Sequence, residues 1–290
     1  MFSRASFDIP LPGGGAMHLG QRTLVMGILN ITPDSFADGG VHYDVNRAVE
    51  AGLRMVEEGA DILDIGGEST RPGADEVGAA EEMRRVLPVI ERLATRTEAI
   101  LSIDTYKAPV ARAAVARGAT VINDISGLLY DPTLADVAAE TGAALVLMHT
   151  RGRSKTMYDL ARYTDVIREV SDELQGAMRR AQHAGVSRES LILDPGFGFA
   201  KKAEHSYTLL AALPRLAELG RPILSGPSRK SFLKDALGDR EPAGREWGTA
   251  AAVSTSVLLG AHIVRVHAVS QMIDVVRVTD RILLGAATTP

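Results

Sequence analysis

Short aliphatic runs alternate along this chain with longer amphipathic stretches. The runs occupy residues 24–29, 62–65, 100–103, 120–122, 145–148, 191–193, 223–225 and 263–266. Each is rich in aliphatic or β-branched residues and ends in a polar residue or glycine, the signature of a buried strand. Between and after them, 45–58, 79–96, 108–117, 133–141, 163–184, 206–219, 247–259 and 270–284 carry apolar residues at helical spacing. Several of these patterns stop at a glycine (Gly59, Gly118, Gly142, Gly185, Gly220 and Gly260), as helix C-termini prefer. Pro88 inside the second pattern predicts a kink. Eight strand–helix alternations predict a parallel sheet, and the count favours a closed (β/α)₈ barrel over an open doubly wound sheet. No Gly-x-Gly-x-x-Gly follows the first run, which lowers the dinucleotide-binding alternative. Residues 7–24 hold two short extended pieces around Gly13-Gly14-Gly15 and predict a β-hairpin outside the main architecture. No linker or charge block divides the chain, so 1–290 reads as a single barrel domain.

Composition narrows the chemistry. The 290 residues are 46% hydrophobic, enough for a sizeable core. A formal net charge of −4 gives no electrostatic footprint for nucleic acid or an acidic membrane surface. The absence of cysteine excludes thiolate catalysis, disulfides and Cys-ligated zinc. Residues 1–10 lack a basic region followed by an apolar core, and no apolar run approaches transmembrane length. The expectation is a cytoplasmic protein with no nucleic-acid or membrane partner.

Period-2 spacing then sorts the strand residues by face. Met26, Ile28 and Asn30 share one face, as do Ile100, Ser102 and Asp104; Val121 and Asn123; Val146 and Met148; Ile192 and Asp194; and Ile263, Arg265 and His267. In a barrel, Asn30, Asp104, Asn123, Asp194, Arg265 and His267 would meet at one mouth. Buried polar groups are costly unless paired. Either these residues satisfy one another as a structural network, or a ligand uses them. The loops favour the ligand. Residues 31–40 and 66–73 are polar and rich in Gly and Pro. The loop 225–231 combines Ser225, Gly226, Ser228, Arg229, Lys230 and Ser231 and suits an anion or a polar ring. A cation in the first turn of a helix is electrostatically disfavoured, which points to a functional role for Arg229 or Lys230. After the sixth run, Asp194-Pro195-Gly196-Phe197-Gly198-Phe199 joins a strand-end carboxylate to an aromatic turn.

With these motifs the sequence resembles the dihydropteroate synthases of bacterial folate synthesis. The resemblance covers essentially the whole chain after residue 20. It rests on Gly27-Ile28-Leu29-Asn30-Ile31-Thr32-Pro33-Asp34-Ser35-Phe36, Asp64-Ile65-Gly66-Gly67-Glu68-Ser69-Thr70-Arg71-Pro72-Gly73, Ser102-Ile103-Asp104-Thr105, Asn123-Asp124-Ile125, the Asp194–Phe199 stretch, Ser228-Arg229-Lys230 and Arg265-Val266-His267. It implies a (β/α)₈ barrel that condenses 6-hydroxymethyl-7,8-dihydropterin pyrophosphate with 4-aminobenzoate, releasing pyrophosphate and 7,8-dihydropteroate. It further implies that Asp104, Asn123, Met148, Asp194, Gly226 and Lys230 hold the pterin, and that Asn30, Arg265 and His267 hold the pyrophosphate. Asn30 would also lie at a magnesium ion. Phe36, Thr70, Arg71, Pro72, Phe199 and Ser231 would form the 4-aminobenzoate pocket and closing loops. Asn30, Arg71, Lys230, Arg265 and His267 would act in catalysis. A homodimer and sulfonamides competing with 4-aminobenzoate belong to the same expectation. One departure is visible: the family usually carries a second Met after Met148-His149, and here Thr150 precedes a basic loop, 151–155. It reads as loop variation.

No Ser-His-Asp or Cys-His set accompanies these residues, so the expected chemistry is positioning and charge stabilisation. The alternatives are a pterin-binding methyltetrahydrofolate corrinoid methyltransferase, a catalytically silent pterin-binding paralogue and, more remotely, a sugar-phosphate barrel enzyme.

Overall fold

A computed structural model describes residues 4–32, 41–69 and 73–287, with the side chains of 41–44, 286 and 287 left undescribed. Eight parallel strands form the central sheet: β3 (Leu24–Asn30), β4 (Ile62–Gly66), β5 (Ile100–Asp104), β6 (Val121–Asp124), β7 (Ala144–Met148), β8 (Leu191–Asp194), β9 (Leu224–Ser225) and β10 (Ile263–Val266). They pair in the order β8-β7-β6-β5-β4-β3-β10-β9. A parallel bridge between Leu193 and Ile223, with the Leu193 amide donating to the Pro222 carbonyl at 2.9 Å, joins the two ends and closes the barrel. The expected (β/α)₈ architecture is the observed one.

Alternation along each strand divides the core in two. Val25, Leu63, Leu101, Ile122, Leu145, Leu191 and Val264 face outward and pack under the helices. Met26, Ile62, Val121, Val146, Ile192, Leu224 and Ile263 face inward and fill the barrel floor. The predicted hairpin is β1 (Phe7–Pro10) and β2 (Ala16–Leu19), antiparallel and outside the main sheet. It is not peripheral to the packing, however. Ile9, Met17 and Leu19 are buried against the inward floor residues, so the hairpin plugs the N-terminal end of the barrel.

The helices are α1 (Val41–Glu57), α2 (Ala79–Ala94), α3 (Ala108–Val115), α4 (Leu134–Thr141), α5 (Val166–His183), α6 (Ala203–Ala211), α7 (Leu213–Ala217), α8 (Lys234–Leu237), α9 (Glu246–Leu258) and α10 (Val269–Ala287). The 206–219 and 163–184 patterns need correction. The 206–219 pattern is two helices, because Pro214 fits the first turn of α7 and cannot continue α6. Helix α2 holds Pro88 in its interior, where the second pattern places it. The Arg84 carbonyl that loses its donor there belongs to an exposed residue, where water can replace the bond. Helix α5 begins three residues later than its periodicity suggests, because the Asp165 side chain caps the Arg168 amide at 3.1 Å.

Candidate active site

Parallel register aligns Asn30 with Gly66, Gly66 with Asp104, and Asp104 with Asn123 across four adjacent strands. The inward faces of β3 to β6 and β10 therefore deliver their polar ends at one level of the barrel. The centre of this layer is Asp64 on β4, fully buried. Its carboxylate accepts from Ser102 Oγ at 2.6 Å, Asn123 Nδ2 at 2.9 Å and Arg265 Nε at 2.6 Å. Arg265 also donates from Nη2 to Asp104 Oδ2 at 2.6 Å. Burial pushes the Asp104 carboxyl above its ordinary range, opposed by the charge of Arg265 and reinforced by that of Asp64. The six-residue expectation omits Asp64. The same period-2 rule, applied to Ile62 and Asp64, finds it; the residue is masked because it sits inside an aliphatic run rather than at its end. Part of the predicted set thus satisfies itself, yet the guanidinium of Arg265 uses only two of its five N–H donors in these pairs.

Asp194 stands at the end of β8, 5% exposed. Its Oδ1 accepts from the Gly196 amide at 2.7 Å. Burial raises its pKa to about 6, against the pull of that hydrogen bond and the charges of Lys230 and Arg265. Gly196 adopts φ +68°, and a Cβ there would lie 2.0 Å from the His149 carbonyl oxygen, so the turn can pass this close only as glycine. Phe199 packs with Met148, Met157 and Ala200 in a small apolar cluster edged by Ile125. Lys230 Nζ sits 3.9 Å from the Phe199 ring centroid. Burial and the nearby Arg265 charge pull the Lys230 pKa down to about 8. Across the mouth, a Cβ at Gly226 would lie 3.8 Å from both Asp194 Oδ2 and Arg265 Cβ, so Gly226 borders the space between them.

At the rim, the Ser228 hydroxyl accepts from the His267 amide at 3.2 Å and lies 2.9 Å from His267 Nδ1. Ser228 thus contacts both the backbone and the ring of His267 and fixes the position of the imidazole at the rim. Of the two cations that follow Ser228, Lys230 stands over Phe199, while Arg229 pairs with Glu246 on α9. The Ser231 hydroxyl is 3.4 Å from Tyr158 Oη. A Cβ at Gly66 would come 3.6 Å from Asp104 Oδ2 and 3.7 Å from Asn30 Oδ1, so glycine keeps the ground between these oxygens open. Phe36, Thr70, Arg71 and Pro72 lie outside the described residues.

Two networks frame the loop after β4. Glu68 accepts from the Val77 amide at 2.8 Å, Tyr106 Oη at 2.8 Å and Lys107 Nζ at 2.6 Å. The basic loop after Met148 meets the other side: Arg153 pairs with Glu76 and Lys155 with Asp75, each at 2.7 Å, and the Gly73 amide donates to the Ser154 carbonyl at 3.3 Å. Arg153 also lies over Tyr130, 4.5 Å from the ring centroid. Between the loops a cleft is lined by Ser69, Tyr106, Tyr130, Arg153, Met157 and Phe199, among others.

Residues 26–267 match the family described as pterin binding enzyme. Dihydropteroate synthase of a Synechocystis species is 47% identical over 275 residues, covering 94% of this chain and 95% of that one. The chain belongs to the dihydropteroate synthase family. Among solved structures, the Xanthomonas albilineans dihydropteroate synthase with 4-aminobenzoic acid is 44% identical with a TM-score of 0.87, covering 97% of this chain and all of that one. The same species' enzyme in complex with 7,8-dihydropteroate is 43% identical with a TM-score of 0.82, covering 94% and 97%. As a dihydropteroate synthase, the chain is a transferase of folate synthesis, and the condensation expected from the sequence is its activity. Family membership sets aside the corrinoid methyltransferase and the sugar-phosphate enzyme.

Proposed function

We propose that the mouth described above carries out this condensation with the following division of labour. Asp194, Asn123 and Asp104 read the polar edge of the dihydropterin, with Met148, Gly226 and Lys230 around its ring. The observation that carries this reading is the buried Asp194 carboxylate, which commits Oδ1 to the Gly196 amide and directs Oδ2 toward Gly226. An ionised carboxylate suits the amino and ring N–H donors of a pterin. Arg265 and His267 meet the pyrophosphate, joined by Arg71. Phe199 and Ser231, with Phe36, Thr70, Arg71 and Pro72 from the preceding loops, receive 4-aminobenzoate.

The chemistry then follows from charge. The carbon–oxygen bond to pyrophosphate breaks, and the pyrophosphate leaves with the electron pair. The pterin shares the positive charge left on its methylene carbon. The arylamine nitrogen attacks that carbon and loses its proton. One well-placed donor to the developing charge is worth roughly 3–4 kcal/mol in such a step. Arg265, braced by Asp64 and Asp104, would meet that charge without reorganising.

Among the described residues no cluster of three or more His, Asp or Glu side chains could hold a metal by itself. Asn30 supplies a hard amide oxygen beside the open ground at Gly66. That fits magnesium, which takes few protein ligands when phosphate oxygens and water complete its shell. Bound there, the ion would neutralise pyrophosphate charge.

We further propose that 1–290 works as one cytoplasmic domain and as a homodimer. Among the described residues no helix is long and apolar enough to cross a membrane. Val278 and Ile282 of α10 and Trp247 of α9 are exposed apolar side chains that a second copy would cover. Sedimentation of the purified chain as a monomer would refute the dimer. The decisive activity assay is pyrophosphate release that requires both dihydropterin pyrophosphate and 4-aminobenzoate. Pterin binding without such release would identify a silent paralogue.

A further inference from the structure

Lys201 is a lysine buried to 2% exposure, yet among the described residues no carboxylate is in direct contact with it. Its Nζ lies 2.8 Å from His149 Nδ1, 2.9 Å from the Phe199 carbonyl, 3.1 Å from the Gly196 carbonyl and 3.3 Å from the His149 carbonyl. Three ammonium protons thus serve four acceptors that belong to two loops, one after β7 and one after β8. Because Nδ1 of His149 accepts, its proton sits on Nε2, which donates to Glu173 Oε2 on α5 at 2.9 Å. Burial and the Lys201 charge hold the His149 pKa down at about 4, in keeping with a neutral ring. Glu173 in turn accepts from Arg151 Nε at 3.1 Å. The Arg151 guanidinium covers the Tyr163 ring, 4.1 Å from its centroid, and Tyr163 Oη donates to the Ala200 carbonyl at 3.0 Å.

The chain passes through the left-handed region three times where these groups hold it. Gly196, Gly198 and Ala200 have φ of +68°, +77° and +49°. The left-handed region costs a residue with a Cβ about 1 kcal/mol or more, and Ala200 directly precedes Lys201. The turn bears Asp194 at one end and Phe199 at the other.

We infer that Lys201 is a positioning residue for both substrates: through three turn and loop carbonyls and neutral His149, it fixes the 194–199 turn in the one conformation that presents Asp194 and Phe199 together. The inference rests on the substrate roles proposed above for those two residues. The acceptors of Lys201 Nζ are protein atoms, and the proposed substrate contacts do not include it, so its loss should act on uniform binding rather than on the chemical step.

The test is steady-state kinetics of Lys201→Met, with Asp194→Asn measured in parallel. Lys201→Met should raise KM for the pterin pyrophosphate and for 4-aminobenzoate together, by about tenfold or more, while kcat changes less than about threefold. A folded Lys201→Met with both KM values unchanged overturns the inference, whatever its Tm. If that variant does not fold, Glu173→Gln decides, because it perturbs the same network from its half-exposed end. It should raise both KM values by up to about fivefold, part of the worth of one charged hydrogen bond; unchanged values overturn the inference. Should Asp194→Asn leave the pterin KM unchanged, the substrate roles themselves fail. Should it raise that KM while Lys201→Met does not, the inference about Lys201 alone fails.

Discussion

Asn123 donates its side-chain Nδ2 to Asp64 Oδ2 at 2.9 Å, and that bond decides which way the Asn123 amide is turned. Asp64 already accepts from Ser102 and Arg265, and a carboxylate can only accept. The amide nitrogen must therefore point inward. Asp64 thus orients both a proposed pterin reader and the proposed pyrophosphate cation without reaching the mouth itself. Asp64→Asn removes the charge and lets the Asn123 amide turn over. Affinity for a pterin analogue should fall by about tenfold or more, since hydrogen bonds to charged groups are worth about 1.5–3 kcal/mol. Titration calorimetry showing unchanged affinity would remove this role.

Arg265 is held between two carboxylates, so truncating it cannot separate catalysis from stability. Arg265→Ala strands Asp64 and Asp104, and losing one partner of a buried pair costs about 3–5 kcal/mol. Arg265→Lys keeps the charge but cannot span both acids with one nitrogen. The lysine variant should lose about 100-fold in kcat/KM, the scale of one lost transition-state donor, with a smaller fall in Tm than the alanine variant. Full activity in Arg265→Lys would show that the fork geometry is irrelevant.

The raised pKa of Asp194 has opposite consequences for folding and for binding. Burial lifts the carboxyl from 3.8 to about 6, so the ligand-free fold favours the protonated form. Its contribution to stability is complete below about pH 3.8 and is lost as pH rises through about 6. Pterin binding needs the ionised acceptor, so affinity should rise with pH through about 6 and then level off. Calorimetry should trace that rise, and Asp194→Asn should flatten it. A level profile in the unaltered protein would detach Asp194 from the pterin.

Gly196 and Gly198 test the turn by contrast. Both have positive φ, but a Cβ at Gly196 meets the His149 oxygen at 2.0 Å, whereas at Gly198 the nearest atom is Lys230 Cδ at 3.6 Å. Gly198→Ala should cost about 1 kcal/mol of backbone strain. Gly196→Ala should cost clearly more, because backbone must also move. Equal costs in urea unfolding would show that the close approach yields easily.

The contact between the loop after β7 and residues 73–77 is a surface feature with a functional reading. Arg153 is half exposed beside Glu76, so Arg153→Ala should change stability by less than about 1 kcal/mol. It should nonetheless raise KM for 4-aminobenzoate, because the cleft beside Phe199 loses one wall. An unchanged KM would leave the contact without a part in binding.

Much of this protein is legible in the order of its residues. Aliphatic runs separated by helical patterns are dictated by backbone geometry, and eight of them specify the barrel. Period-2 alternation, a property of any strand, sends Asp104, Asn123 and Arg265 into the barrel as expected. The motifs at the strand ends carry the family.

Tertiary structure decided the partners. Nothing local separates Arg229 from Lys230; packing turns one to Glu246 and the other over Phe199. No pattern in the sequence singles out Lys201, which becomes the tie of two loops only when β7 and β8 lie side by side. Asp64 looks like an interruption in a hydrophobic run until β5, β6 and β10 bring it Ser102, Asn123 and Arg265. A strand's face follows from its own residues. The hydrogen bond or charge that satisfies a buried group comes from residues distant in the chain, and only closure of the barrel brings them within reach.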